Sequence, residues 1–276
     1  MCLSSAAEIG GLGLMARVHA TAIVDPGAEL ADDVQIGPYT VIGPQVAIDA
    51  GTTIDSHVMI TGRTRIGRDN RIFSFCSLGE IPQDKKYAGE PTELLIGNGN
   101  TIREYTSLNA GTAQGGGVTR VGSDNWIMSY VHIAHDCAIG DHTVLANVVQ
   151  LAGHVVIDDW AVLGGMVGVH QFVRIGAHSM VAGVTALRQD VPPFVLCGGN
   201  PCQAHGINAE GLQRRGFDEA TIQALKGAYR TLFRDGLTLA QAREAIQSGS
   251  KRDSTAAAAL GQLTEFLGVP GRGIIR

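Results

Sequence analysis

From Val18 an aliphatic residue returns every six positions: Val18, Val24, Leu30, Ile36, Ile42, Ile48, Ile54, Ile60, Ile66, Ile72 and Leu78, without a miss. The phase reappears at Ile96, Ile102 and Leu108 and slips by one residue across "NAGTAQGGGVTR". It then runs from Val121 through Ile127, Ile133, Ile139, Leu145, Leu151, Ile157, Leu163, Val169, Ile175 and Val181 to Leu187. A period of six fits neither an amphipathic helix nor a meander of hairpins. It fits a parallel β-helix in which each hexad is a short strand and a turn, with the aliphatic pointing inward and small or polar residues at the corner. Three hexads make one triangular coil, so residues 18 apart stack in adjacent coils, one strand spacing of ~4.8 Å from each other. The 37 glycines and an aromatic content of only 5% suit many tight turns around a thin core.

Two stretches interrupt the prism. Residues 79–94, "GEIPQDKKYAGEPTEL", leave the pattern for one coil and rejoin it in phase, which reads as a loop extruded from a corner, the kind of segment that carries function. Residues 109–120 form a second, glycine-rich loop that is expected to be mobile. The repeat stops at Pro192-Pro193, and from Asn208 the pattern becomes helical. Asp218 is placed to cap a helix that Gly236 stops, Thr238 to cap the next, and "STAAAALGQLTEFLG" suits a fourth. The expected organisation is a flexible N-terminal extension over 1–15, a β-helix over 16–200 and a helical domain over 201–276. The helices would close the open end of the prism, where backbone groups are otherwise unpaired.

Composition excludes several classes. A net charge of −5 gives no global attraction to nucleic acid or an anionic membrane, so an anionic partner has to be met by local basic clusters. No stretch reaches the ~18 apolar residues of a membrane span, and no basic start precedes the weakly apolar N-terminal run, so no signal peptide is read. Five cysteines without a CxxC pair point to reduced thiols and a cytoplasmic location. Cys76 and Cys137 are expected as small core residues.

The stretch "SYVHIAHDC" concentrates the chemistry. Ile133, Leu151 and Val169 stack 18 apart, and each has histidine beside it: His132 and His135, then His154, then His170, with Asp136 and Gln171 adjacent. A single such histidine is usually solvated or packed into a corner, but four on one wall call for a further reason. Neutral imidazoles from adjacent coils can hold Zn²⁺ with an open fourth position, as carbonic-anhydrase-like enzymes on a β-helix do. Alternatively, one histidine, its tautomer held by Asp136 or a backbone carbonyl, removes the proton of a hydroxyl that attacks a thioester. A glycine-corner N–H, such as that of Gly165, would then receive the oxyanion. Both readings stay open on the residues alone. Two adjacent-basic pairs in this acidic chain, Lys85-Lys86 and Arg214-Arg215, suit phosphates, although paired arginines on a helix are more often merely solvated.

Longer words narrow the choice. "VHATAIVDPGA", "QDKKYAGEPT", "GTAQGGG", "VGSDNWIM", "HIAHDC", "LAGHVVIDD", "GGMVGVHQFVRIGAH", "QDVPP", "EGLQRRGF" and "GRGIIR" run from residue 18 to the end of the chain. In them the chain resembles the bacterial UDP-N-acetylglucosamine O-acyltransferases, hexapeptide-repeat enzymes that use acyl-carrier-protein thioesters to begin lipid A synthesis. The resemblance implies a left-handed coil, against the right-handed preference of parallel crossovers. It implies a 3-hydroxyacyl group passed from acyl carrier protein to the sugar 3-hydroxyl, with no cofactor and no metal. By position it makes His135 the general base and Asp136 its orienting partner. His132, His154, His170 and Gln171 would contact the sugar, the diphosphate or the acyl group. Gln83, Asp84 and Lys86 would reach the nucleotide-sugar, and Asn208, Glu210, Arg214 and Arg215 the uridine and phosphates. Gly183, with Met180 and Ala182 near it, falls where the family limits acyl-chain length. "PCQAHGIN" departs from the family's pattern after Asn200. An N-acyltransferase acting later in the pathway would be expected to carry a uridine-binding domain ahead of the repeat. A functional wall on the outside of a prism cannot enclose its substrates, so a homotrimer with clefts between subunits is expected. Arg230 and Arg234 offer the acidic carrier a docking surface.

Overall fold

The structure, a computed structural model, describes residues 16–250, 256–269 and 271–276. The N-terminal extension assigned to residues 1–15 lies outside the described residues. Most hexads become a two-residue strand that ends on its inward aliphatic, as in Gln35–Ile36, Val41–Ile42 and Ala47–Ile48. A corner follows each, so successive strands join three different sheets, of 11, nine and eight strands. Ile36 pairs with Ile54 and Ile54 with Ile72, the 18-residue register of one coil. The fold is a left-handed parallel β-helix with C-terminal helices. Ile72, Leu78, Ile102, Ile127 and Ile133 all stand at 0% exposure on its axis.

The two loops explain the phase of the repeat. Across the first, Ile72 pairs with Ile102, 30 residues on instead of 18, and the 12 added residues are two hexads. The pattern therefore rejoins in phase without losing a coil; only one corner is replaced. Across the second, Leu108 pairs with Ile133, 25 residues on, and the seven added residues produce the one-residue slip. Both loops leave from the same prism edge, between the second and third sheets: one joins Ser77–Glu80 to Glu93–Ile96, the other Ser107–Asn109 to Val118–Val121. The second loop is tethered, contrary to the mobility expected of its glycines. Thr112 caps a 3₁₀ turn over Ala113–Gly115 and its hydroxyl donates to the Asp136 carboxylate at 2.7 Å.

Each edge carries non-glycine residues at positive φ, where the chain turns. On the first edge, between the first and second sheets, these are rings: Tyr39, His57, Phe75, Tyr105 and Tyr130 stack with centroids 4.8–5.1 Å apart, close to the rise of one coil. The third edge, between the third and first sheets, is tied from inside by asparagines. Asn70 Nδ2 donates to the carbonyls of Gly67 and Gly97, and its Oδ1 accepts from Asn100 N–H at 2.9 Å.

The last coil ends in a hairpin. Val195–Gly198 pairs antiparallel with Gln203–Ile207, and helices α1 (Ala209–Arg214), α2 (Glu219–Phe233), α3 (Leu239–Ser250) and α4 (Ala257–Gly268) follow. Asp218 caps α2 through the Thr221 N–H at 2.6 Å, and Thr238 accepts from Gln241 N–H at 3.3 Å at the start of α3. Leu212, Ile222, Leu225, Leu260 and Phe266 form a second core against Phe194. Ile275, from the C-terminal tail, enters the β-helix core instead, beneath hydrogen bonds exchanged between Asp190 and the tail. The open end is thereby covered.

Because truncating a fully buried axial isoleucine leaves a cavity in the core, Ile72→Ala should cost about 2–5 kcal/mol. A lowered denaturant midpoint with an unchanged slope, at fixed protein concentration, is the expected result.

Candidate active site

The second edge, between the second and third sheets, gathers most of the predicted residues. His132–Ile133 is a strand of the second sheet, and its chain turns through His135 and Asp136 before Ala138–Ile139 joins the third. Asp136 occupies the corner at φ 60°, a conformation aspartate tolerates better than most residues, and its N–H donates to Thr119 Oγ1 at 2.8 Å. The carboxylate is almost sealed, with a side-chain exposure of 1%. It accepts from the Thr112 N–H at 2.8 Å, from the Thr112 hydroxyl at 2.7 Å and from His135 Nδ1 at 2.7 Å. An ionised carboxylate only accepts, so His135 carries its proton on Nδ1 and presents Nε2 as the basic nitrogen. This is the orienter–base geometry of general-base catalysis.

Neighbouring groups crowd that nitrogen. Gly153, buried one coil up, lies against the His135 ring, so closely that a Cβ there would fall 2.7 Å from Nε2. Among the hydrogen bonds of the described residues, none is donated by the Gly153 N–H. His154 packs edge-on to His135 with centroids 5.2 Å apart and lies flat on Phe172 of the next coil at 4.4 Å. Burial is the first cause that lowers the pKa of His154, against the opposing pull of Asp136 and Asp84, so Asp84 from the first loop acts on this wall. His132 Nδ1 lies 2.8 Å from Ser107 Oγ, and burial lowers its pKa too. Both rings are neutral near pH 7. His170 and Gln171 are exposed on the same edge one coil further, while Gln83 and Lys86 are exposed on the loop. Burial pushes the Cys76 and Cys137 thiols up to about 12, as suits core residues and not nucleophiles.

Other predicted residues stand elsewhere. Gly165 turns the first edge, so the hexad register does not bring its N–H to His135 within one chain; Gly153, which sequence reasoning missed, is the glycine in place. Gly183 sits one coil above Gly165, where a Cβ would meet the Gly165 carbonyl at 3.1 Å, and Met180 is an exposed member of the first sheet. Asn208, Glu210, Arg214 and Arg215 lie at α1, whose start is bound to the third edge by a hydrogen bond from Asn208 Nδ2 to the His178 carbonyl at 3.0 Å. Arg214 pairs with Glu210 on the surface. Thr112, Thr119 and Gly153 carried no signal in a single sequence, since their role is visible only across coils.

His135, Asp136 and His154 could also offer one ligand atom each within 4.8 Å of one another. The donor set fits a metal poorly. Three hydrogen bonds, one of them from His135 Nδ1, already occupy the Asp136 oxygens, and His154 Nε2 lies 3.6 Å from the carboxylate it would have to share.

Comparison with known proteins decides between the readings. The family model described as "Udp N-acetylglucosamine O-acyltransferase; Domain 2" matches residues 190–275, and that for "Bacterial transferase hexapeptide (six repeats)" matches residues 119–149. A Herminiimonas arsenicoxydans acyl-[acyl-carrier-protein]--UDP-N-acetylglucosamine O-acyltransferase is 55% identical over 95% of this chain and 100% of its own. The chain belongs to the UDP-N-acetylglucosamine O-acyltransferase family. Among solved structures of that family, LpxA from Acinetobacter baumannii is 49% identical with a TM-score of 0.89, covering 94% of this chain and 99% of its own. The Francisella novicida UDP-N-acetylglucosamine acyltransferase is 42% identical with a TM-score of 0.90, covering 94% of both chains. No support for the metal-dependent alternative comes from these relatives.

The saturated Asp136 carboxylate makes a specific expectation. Asp136→Asn keeps the shape but admits the wrong His135 tautomer and no longer stabilises the imidazolium. It should lower kcat by about 10²–10⁴ with an unchanged circular-dichroism spectrum. Thr112→Val, which removes one hydrogen bond, should lower it less.

Proposed function

We propose that the protein transfers a 3-hydroxyacyl group from the thioester of acyl carrier protein to the 3-hydroxyl of UDP-N-acetylglucosamine, the first step of lipid A biosynthesis. The observation that carries this reading is the His135 ring, held through Nδ1 by a buried and fully engaged Asp136 with Nε2 left beside Gly153. As the sugar oxygen attacks the thioester carbon, Nε2 takes its proton. The Gly153 N–H, which donates no hydrogen bond among those of the described residues, would meet the oxygen that becomes negative, a kind of contact typically worth about 10²–10³ in rate. Collapse of the tetrahedral intermediate breaks the C–S bond, and the imidazolium proton passes to the departing thiolate. Ester and free thiol are the products, and His135 is neutral again. A thioester is already activated, so no protein nucleophile is required.

His154, His132, His170 and Gln171 would line the acceptor side with neutral donors and acceptors, and Gln83, Asp84 and Lys86 would reach over them from the first loop. Asn208, Glu210, Arg214 and Arg215 would hold the uridine diphosphate. These two groups occupy different edges of one prism, so a complete site calls for a second copy, which supports a homotrimer with sites between subunits. The Gly183 corner would then lie along the acyl chain, with an open face that suits a longer chain. Free thiols at Cys76, Cys137, Cys197 and Cys202 support a reducing cytoplasm, and no described helix is long and apolar enough to cross a membrane. For the acidic carrier, Arg234 lines a cleft of about 300 Å³ with His205 and Arg276 at the end of α2, and Arg230 is exposed on the same helix.

Two experiments test this reading. Transfer from 3-hydroxyacyl carrier protein should proceed in the presence of chelator and collapse by orders of magnitude in His135→Ala; transfer indifferent to His135, or abolished by chelator, would return the metal reading. Exchanging Arg230 and Arg234 for glutamate should raise the KM for the carrier thioester and leave that for the nucleotide sugar alone. An unchanged carrier KM removes the docking assignment.

A further inference from the structure

The third edge carries an arrangement that the reaction above does not use. His142, Trp160, His178 and Phe194 turn successive corners, and their rings stack at 4.1, 6.2 and 5.7 Å. Against this column lies Arg215, the residue after α1. Its guanidinium sits 5.3 Å from the centroid of the Trp160 ring, and Nη1 is 3.4 Å from His178 Nδ1. The His178 ring is itself clamped, flat against Phe194 and edge-on to Phe217 at 5.0 Å. Its backbone carbonyl accepts from Asn208 Nδ2 at 3.0 Å, and the carbonyl of Phe194 accepts from the Asn208 N–H at 2.7 Å.

Arg215 differs from its neighbour in charge pairing. Arg214 is 78% exposed and bridged to Glu210. Arg215 is half-buried, and among the described residues no carboxylate stands within ion-pair distance of it. Partial desolvation of an unpaired cation is unfavourable unless an anion completes it. The carboxylate that acts on His178, Asp159, accepts the Asp141 N–H at 2.8 Å and does not pair with Arg215. A free arginine carries about 2 kcal/mol of rotamer entropy, so a guanidinium already resting on an indole and an imidazole binds a phosphate with less to lose.

We propose that Trp160 and His178 are positioning residues for the nucleotide end of the substrate, holding Arg215 in the geometry that receives the uridine diphosphate. The inference rests on the acyltransferase reading and adds two residues to it. His178 acts as a neutral acceptor: burial, and then the Arg215 charge, push its pKa down to about 4, so near pH 7 it accepts from the guanidinium and does not repel it. Trp160 supplies the flat negative face of its ring. Both residues act through Arg215 and neither needs to touch the substrate.

Steady-state kinetics with both substrates varied tests this. His178→Leu and Trp160→Leu should each raise the KM for UDP-N-acetylglucosamine about tenfold, the worth of one hydrogen bond to a charged group. The carrier-thioester KM and kcat should change less than twofold. His178→Gln, which keeps an acceptor, and Trp160→Phe, which keeps a ring, should recover most of the loss. In an Arg215→Ala background, His178→Leu should add little, because its effect is carried by that arginine. A KM that stays at the wild-type value, a fall confined to kcat, or a full additional effect without Arg215 would overturn the proposal while leaving the transfer reading intact. Absence of transfer by the folded wild-type protein would overturn both. Should His178→Leu fail to fold, the Trp160 pair and His178→Gln decide the same question.

Discussion

One stacking register underlies the molecule: each inward aliphatic rests on the one 18 residues earlier, and the strands between them share hydrogen bonds along the prism. Lateral packing in a coil so thin is slight, so hydrophobic burial and backbone satisfaction both depend on the next coil. The same register controls the chemistry. It places His135, His154 and Phe172 at one edge at steps of one coil, where residues far apart in the chain become neighbours across ~4.8 Å. Insertions are tolerated only where the chain leaves the sheets, and both loops emerge from that same edge.

Within the wall, ordering comes from hydrogen bonds that the strands could not supply alone. Asp136 would be a costly buried carboxylate if left unpaired. Thr112, carried by the second loop, and His135 satisfy it together, and the result is a ring whose reactive nitrogen cannot rotate away. The glycines of "GTAQGGG" let that loop turn back onto the prism, with Gly116 and Gly117 both at positive φ. Desolvation meanwhile keeps His132 and His154 neutral, so neither ring opposes protonation of His135 near neutral pH.

The edges divide the work. The second edge holds the His135–Asp136 pair, the third holds α1 and its polar side chains, and the first offers stacked rings and glycines. The helices depend on this arrangement too: α1 is oriented by the carbonyls of Phe194 and His178, and the second core forms against Phe194. A chain with a net charge of −5 thus presents its cations locally, as at Arg215, whose guanidinium lies on a ring with no carboxylate of the described residues in ion-pair distance.

The amino-acid pattern by itself determined the coil, its 18-residue register, the two loops, the capping of α2 by Asp218 and the wall of histidines, because hexads, caps and stacked positions are local or strictly periodic. It also carried the family, through words such as "HIAHDC" and "QDKKYAGEPT". Only the tertiary structure decided which glycine faces His135. Gly165 and Gly153 are both corner glycines, and the one that meets His135 is set by which of three edges each hexad turns. Thr112 was invisible for a similar reason: a loop residue acquires its role from where the loop lands. Arg215 and Arg214 look alike in the chain, yet one lies on Trp160 and the other faces solvent beside Glu210, a difference made by how the end of α1 lies against the third edge.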